Sequence, residues 1–267
     1  MMTVASLLDK TVVIARRDLL TAIRYRTGFV LTAAGALTEL AAFYYLSRAV
    51  GPAFRPEGLE YFSFLLVSTG FYTFLLMGVH AFLQTVQEAQ QTGTLEVLMT
   101  TSTSPPVLVF LSAMSAFAAN TLTLLFYLGA GLLFGAPLHP NLAASIAVFL
   151  ISVIIAVAIG LIAAALQLAI QKGSAVVWAV GSIWFLTGTM FPVQTLPKTL
   201  RGLAQLIPIT HSLEGMRLAL LEGASLTRVG HELMVLAGFA GLLVQLSLLA
   251  FSWTLRRARM QGTLSFY

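Results

Sequence analysis

Residues 93–98, Gly93-Thr94-Leu95-Glu96-Val97-Leu98, decide how this chain is read. They form a polar turn between two long apolar runs, Tyr61 to Val86 and Val107 to Phe134. Gln84, Gln87, Glu88, Gln90, Gln91 and Thr92 precede them, and a Thr/Ser run from Thr100 to Ser104, closed by Pro105-Pro106, follows. A plain reversal of direction needs only a few residues, and the segment 87–105 is far longer than that. Its apolar residues Leu95, Leu98 and Met99 fall on one side of a short amphipathic helix. A membrane protein has reason to build such a helix where a soluble partner must grip it. A solvated loop with no partner is the plainer alternative.

Working outward, the composition belongs in a bilayer. Hydrophobic residues make up 58% of the 267 and charged residues 9%, against about 25% charged in soluble domains. A span needs about 20 apolar residues. Six segments qualify: Phe29 to Ser47, Tyr61 to Val86, Val107 to Phe134, Leu142 to Ile170, Ala175 to Phe191 and Leu233 to Leu255. The expected fold is therefore all-α, with six transmembrane helices in a domain over 28–267. With no cysteine, disulfide and thiol chemistry are excluded, and four scattered histidines suggest no metal site.

Lys and Arg set the expected orientation. With the N-terminus in the cytoplasm, that side carries Lys10, Arg16, Arg17, Arg24, Arg26, Lys172, Arg256, Arg257 and Arg259. On the opposite side Arg48, Arg55, Lys198, Arg201, Arg217 and Arg228 are nearly balanced by Glu57, Glu60, Glu214, Glu222 and Glu232. Both termini and the Gly93 segment are thus expected on the cytoplasmic side of the cell membrane. The basic balance reflects topology and anionic lipid, and argues against nucleic acid as a partner. Residues 1–27 repeat apolar side chains at Val4, Leu8, Val12, Ala15, Leu19 and Ile23, with Lys10, Arg16, Arg17 and Arg24 elsewhere on the wheel. That pattern predicts an amphipathic helix in the membrane interface.

Residues 192–230 are the second unusual region. Pro192, Pro197 and Pro208 punctuate two short apolar runs, predicting a short helix over Leu200 to Ile207, a break at Pro208, and a second helix from about Ser212. Neither run is long enough to cross. Together they predict a re-entrant helical hairpin on the external side, which needs protein or water around its backbone. It shortens the path left to the fifth span. Glu214 and Arg217, three residues apart, are positioned to pair on one face.

Within the first span stands one acidic residue, Glu39. Such a carboxylate is expensive in lipid and usually faces a bundle interior or a wet cavity. Two readings stand: a residue lining a translocation route or linked to protons, and a structural hydrogen bond to Asn120 or nearby backbone. The aromatics Phe43, Tyr44, Tyr45, Phe71, Tyr72 and Phe74 are expected at the outer halves of the first two spans, as interface anchors or around an amphiphilic substrate. Glu39, Phe43, Phe71, Tyr72 and Asn120 make up the candidate route. Gly160 with Ala164, and Gly181 with Gly188, are expected to permit close helix packing.

The Gly93-Thr94-Leu95-Glu96 turn after the second span resembles the cytoplasmic coupling segment of ATP-binding-cassette type-2 transport permeases. The pattern Phe191-Pro192…Leu196-Pro197…Ile207-Pro208-Ile209-Thr210…Glu214-Gly215-Met216-Arg217…Glu222-Gly223 resembles the external re-entrant hairpin of that family. Differences exist: Gln90, Gln91 and Thr92 stand where charge is usual, Thr101-Ser102 replaces Thr-Pro, and Val107 to Ser112 is uncharged. The resemblance implies an export subunit that dimerises, as a homodimer or heterodimer, and sits on two separate ATPase subunits. Glu88, Gly93, Thr94, Leu95, Glu96, Leu98 and Thr101 would then contact the ATPase, and Pro192, Pro197, Pro208, Glu214 and Arg217 would shape the external hairpin.

Independently, the chain has no Gly-Lys dipeptide and so no phosphate-cradling loop ending Gly-Lys-Ser/Thr. ATP and Mg, if they drive it, are expected on the partner chain; none is expected on this one. The resulting expectation is a permease moving a drug, lipid or glycolipid-like amphiphile by alternating access. One rival is a proton-coupled secondary transporter using Glu39. The other is a six-span intramembrane enzyme, which would need an activated Ser with His, and no Gly-x-Ser-x-Gly occurs.

Overall fold

The structure is a computed structural model describing residues 26–92 and 105–261, and every described element is helical or a turn. In chain order the α-helices are α1 (Arg26–Val50), α2 (Tyr61–Gln91), α3 (Pro105–Leu133), α4 (Leu142–Ile170), α5 (Ser174–Ser182), α6 (Lys198–Gln205), α7 (Pro208–Leu220) and α8 (Gly230–Gln261). Among the described residues, four stretches are long and apolar enough to cross a membrane: Val30–Val50, Tyr61–Gln91, Leu142–Ile170 and Gly230–Arg257. In α3 the apolar stretch Phe117–Leu133 belongs to a helix of 29 residues. The interfacial helix expected over 1–27 lies outside the described residues except at its end, as does most of the segment 87–105.

The bundle is organised around α2. Over most of its length this helix is buried, as a helix surrounded by others is; it packs against α1, α3, α4, α5 and α7, while α8 packs against α4 and α7. Close approach is built in with glycine. A Cβ on Gly78 would lie 2.3 Å from the Phe117 ring, and one on Gly160 would lie 2.8 Å from Phe82. Gly160 thus packs as expected. Gly181 does not, since a Cβ there would meet nothing nearer than 4.0 Å. Phe71, Tyr72 and Phe74 are buried in this core, with Phe71 and Phe74 stacked at 5.9 Å and Phe74 and Phe149 at 5.1 Å. Their burial in the core corrects the interface-anchor alternative, and Phe74 also borders a cleft between α1, α2 and α3.

A second correction concerns the run Ala175 to Phe191. Instead of a continuous helix, α5 holds 9 residues and gives way to turns through Met190. The cause is local. Thr187 and Thr189 hydroxyls both donate to the Trp184 carbonyl, at 2.7 and 2.8 Å, and Gly188 takes φ +79°. Hydroxyls that capture a carbonyl compete with the helical ladder, and the left-handed glycine turns the chain.

In the region 192–230 both short helices form, with a changed boundary. Pro208 opens α7 at its first turn, four residues before the expected start. Proline has no N–H to lose there and its φ is already helical; the break falls on Leu206-Ile207. The α7 helix is no surface loop. Ile209, Leu213, Met216 and Ala219 are buried against α2, α4 and α8. Its C-terminal carbonyls are also used: His139 N–H donates to Leu220 O at 2.8 Å and Asn141 N–H to Ala219 O at 2.9 Å. The loop before α4 is thereby tied to α7.

Candidate functional site

At the Gln91 end of the bundle, α2 is joined to α4 and α5 by buried amides. Gln167, in the last turn of α4, donates through Nε2 to Gln90 Oε1 at 3.2 Å. Its Oε1 accepts from Gly173 N–H at 3.2 Å and from Gln87 Nε2 at 3.5 Å. Gln171 caps α4 with φ 56° and returns its N–H to Gln167 O. A Cβ on Gly173 would sit 2.4 Å from the Ala163 carbonyl oxygen, so only glycine fits this turn. The uncharged Gln90 is therefore a buried clasp, with 2% of its surface exposed. Glu88 is exposed one turn from the helix end, and its carbonyl accepts the Thr92 N–H and hydroxyl at 2.9 and 2.7 Å. Gly93, Thr94, Leu95, Glu96, Leu98 and Thr101 lie outside the described residues.

At the opposite end the organising side chain is Arg217. The expected pairing with Glu214 on the same helix is corrected. Arg217 reaches from α7 to Glu57 in the α1–α2 loop, Nε to Oε2 at 3.1 Å and Nη2 to Oε1 at 3.3 Å. Its Nη1 donates to Ser68 Oγ and Gly188 O, both at 3.2 Å, and the guanidinium lies 4.6 Å over the Phe64 ring. Burial pushes the guanidinium down from the usual arginine range, while Glu57 holds it up. Glu57 itself adopts φ 54°, a left-handed conformation costly for a side-chain residue and held here by a bidentate cation. One side chain thus fastens four segments. Sequence spacing favoured Glu214 because only near neighbours are visible to it.

Glu214 instead shares a cavity of about 280 Å³ with His211, Glu232, His231 and Arg201. His211 Nδ1 meets Glu232 Oε2 at 2.6 Å and Nε2 meets Gln205 O at 2.9 Å. The bond to Glu232 raises the imidazole above its ordinary range, and burial raises the Glu214 carboxyl. Pro192 precedes the short turn Val193–Thr195, Pro197 precedes α6, and Pro208 begins α7. Of the expected hairpin residues, Glu214 lines this cavity, while Arg217 belongs to the separate node with Glu57, Ser68 and Gly188.

The candidate route residues do not all converge. Glu39 and Asn120 line one cleft between α1, α2 and α3. No hydrogen bond joins them. Phe71 is in the core, and the Tyr72 hydroxyl donates to Val180 O across to α5; neither lines that cleft. Phe43 packs beside Tyr61, Phe64 and Leu65. Sequence reasoning missed Tyr127, Thr73 and Thr123 in the cleft, although Asn120, Thr123 and Tyr127 carry a legible helical spacing. Among the described residues no group of His, Asp and Glu is suited to a metal.

No curated protein matches the sequence. The profile of the family described as ABC-2 family transporter protein matches residues 43–249, more than three quarters of the chain. That stretch runs from the C-terminal part of α1 through the Gln91 end, the Arg217 node and most of α8, so this chain belongs to the ABC-2 transporter family, whose members are membrane transport subunits without a nucleotide-binding domain of their own.

Proposed function

We propose that the chain is the permease subunit of an ATP-driven exporter for an amphiphilic drug, lipid or glycolipid-like substrate. Two copies work with two ABC ATPase subunits, which bind the ATP and Mg. The observation that carries this reading is the family match over both the α2–α3 connection and α7. In the proposed topology six passes leave both termini cytoplasmic, α5 with its following turns makes the fifth pass, and residues 192–230 form an external re-entrant cap.

Coupling is mechanical in this reading. ATPase closure displaces the segment 87–105 through Glu88, Gly93, Thr94, Leu95, Glu96, Leu98 and Thr101. The Gln87–Gln90–Gln167 clasp supports transmission, because a push on the end of α2 is shared with α4 and α5 through buried hydrogen bonds. Such groups are costly to leave unpaired, so the contacts move together or break. Glu39 and Asn120 lie on the substrate route, in the cleft between α1, α2 and α3.

Copurification with a candidate ABC ATPase is the test, followed by ATP hydrolysis in proteoliposomes. A stoichiometric complex whose hydrolysis is stimulated by an amphiphile is expected. A permease that purifies alone and moves substrate on a proton gradient without ATP would overturn the reading in favour of secondary transport through Glu39.

A further inference from the structure

We propose that the α1–α2–α3 cleft is a lipid-side binding site for an amphiphile whose head is a primary or secondary ammonium; this rests on the exporter reading for its purpose. Each helix presents one stripe at helical spacing: Ala36 and Glu39 from α1, Gly70 and Thr73 from α2, Asn120, Thr123 and Tyr127 from α3. The cleft encloses about 390 Å³, within the range of small-ligand sites, about 300–1,000 Å³. At 1.5 Å per residue Glu39 lies roughly 20 Å from Arg26 and roughly 16 Å from Val50, near mid-helix.

Two groups in it are unsatisfied. Tyr127 is 6% exposed, and its hydroxyl is buried without a hydrogen-bond partner. Glu39 has neither an ion pair nor a hydrogen bond to a described residue. A buried polar atom is nearly always paired, and an intramembrane carboxylate normally has a partner. Tyr127 is also fixed in place: a Cβ on Gly70 would lie 2.8 Å from its ring, so glycine makes room for it.

The missing partner must neutralise a carboxylate and also donate hydrogen bonds to a hydroxyl or amide oxygen. An N–H-bearing ammonium does both. Water would satisfy the hydroxyl and a protonated carboxyl, but only a cation favours the ionised form, which repels an anion. The cation in turn stabilises the ionised carboxylate that lipid alone penalises. The mouth is framed by Thr73, Thr123 and Met77, which is 49% exposed, so the alkyl tail stays in the acyl-chain region while the head reaches Glu39.

The test is photolabelling of the permease–ATPase complex in zwitterionic-lipid nanodiscs. The probes are a twelve-carbon primary amine with a terminal diazirine, and its alcohol and sulfate counterparts. Labelled peptides from 32–39, 70–77 and 120–127, displaced by unlabelled dodecylamine, are expected for the amine alone. Glu39→Gln should cut amine labelling at least tenfold, and Tyr127→Phe about fivefold, with ATPase binding unchanged. If Glu39→Gln loses ATPase binding, Tyr127→Phe and Thr73→Val carry the same test of selective loss. Equal labelling by amine and alcohol, or unchanged amine labelling in the variants, overturns the site while an intact, ATP-hydrolysing complex leaves the exporter reading standing. Amine-selective labelling of a permease that binds no ATPase keeps the site and overturns the exporter.

Discussion

Arg217 and Glu39 are both charged groups within an apolar bundle, and their surroundings could hardly differ more. Arg217 is 2% exposed, and its donors meet Glu57, Ser68 and Gly188 while Phe64 covers its face. Glu39 has no such escort among the described residues. A satisfied buried charge fixes geometry; an unsatisfied one invites an occupant or movement. The Arg217 end is accordingly the rigid frame of the molecule, and the α1–α3 side is where binding energy remains to be gained.

The largest effect expected from this contrast is on stability. Arg217→Leu leaves Gly188 O without its donor and Glu57, which solvent still reaches, without its cation, a loss of about 3 kcal/mol, the upper end for a buried group left unpaired. Glu39→Gln should cost nothing or raise the thermal midpoint slightly, because no pairing is lost and an expensive charge is removed. Thermal unfolding in detergent compares the two directly. Equal destabilisation would erase the distinction between frame and cleft.

The amide clasp at the other end belongs with the frame. Gln167→Leu orphans Gln90 Oε1 and Gly173 N–H, at about 1–3 kcal/mol for a buried polar group left unpaired. Gly173→Ala drives a methyl into Ala163 O, and such overpacking costs about 1–3 kcal/mol. Both variants should show lowered midpoints, and both should reduce substrate moved per ATP hydrolysed more than they reduce hydrolysis. A proportional fall in the two rates would make the clasp purely structural.

The α7–α8 contact is expected to respond to pH, with a smaller effect. His211 faces Glu232 and His231 from α8, Glu214 from α7 and Arg201 from α6. Because its folded form holds the proton more tightly than an ordinary histidine near 6.5, its stabilisation is complete below that value and is lost as pH rises through the folded value. Glu214, raised by burial above 4.5, acts in the same direction, since ionising it in place costs the fold. Hydrogen exchange corrected for intrinsic rates should show α7 less protected at about pH 8 than at about pH 6, and His211→Ala should flatten the difference. Rising protection with pH would reverse the assignment.

How much of this was legible in the sequence follows the range of the interactions. Long apolar runs and proline positions are local, and α1 to α4 and α8 fall where those runs predict. The start of α7 at Pro208 was readable from the same proline, since proline suits the first helical turn. Arg217 was misassigned because Glu57 is 160 residues away while Glu214 is one turn away. The break after Ser182 depends on hydroxyls finding Trp184 O, which hydropathy does not register. In the cleft, Glu39 and Asn120 stood out by their chemistry. Tyr127 did not, because a tyrosine in an apolar helix is unremarkable until its hydroxyl is found buried and alone.

The central claim is that the segment 87–105 and the α6–α7 hairpin serve opposite faces of the membrane, one meeting an ATPase and the other capping the exit. With no native cysteine, single substitutions Ser102→Cys and Thr199→Cys give clean targets for a membrane-impermeant maleimide. In intact cells Thr199→Cys should label at once and Ser102→Cys only after permeabilisation. Labelling of both from the same side would contradict the account.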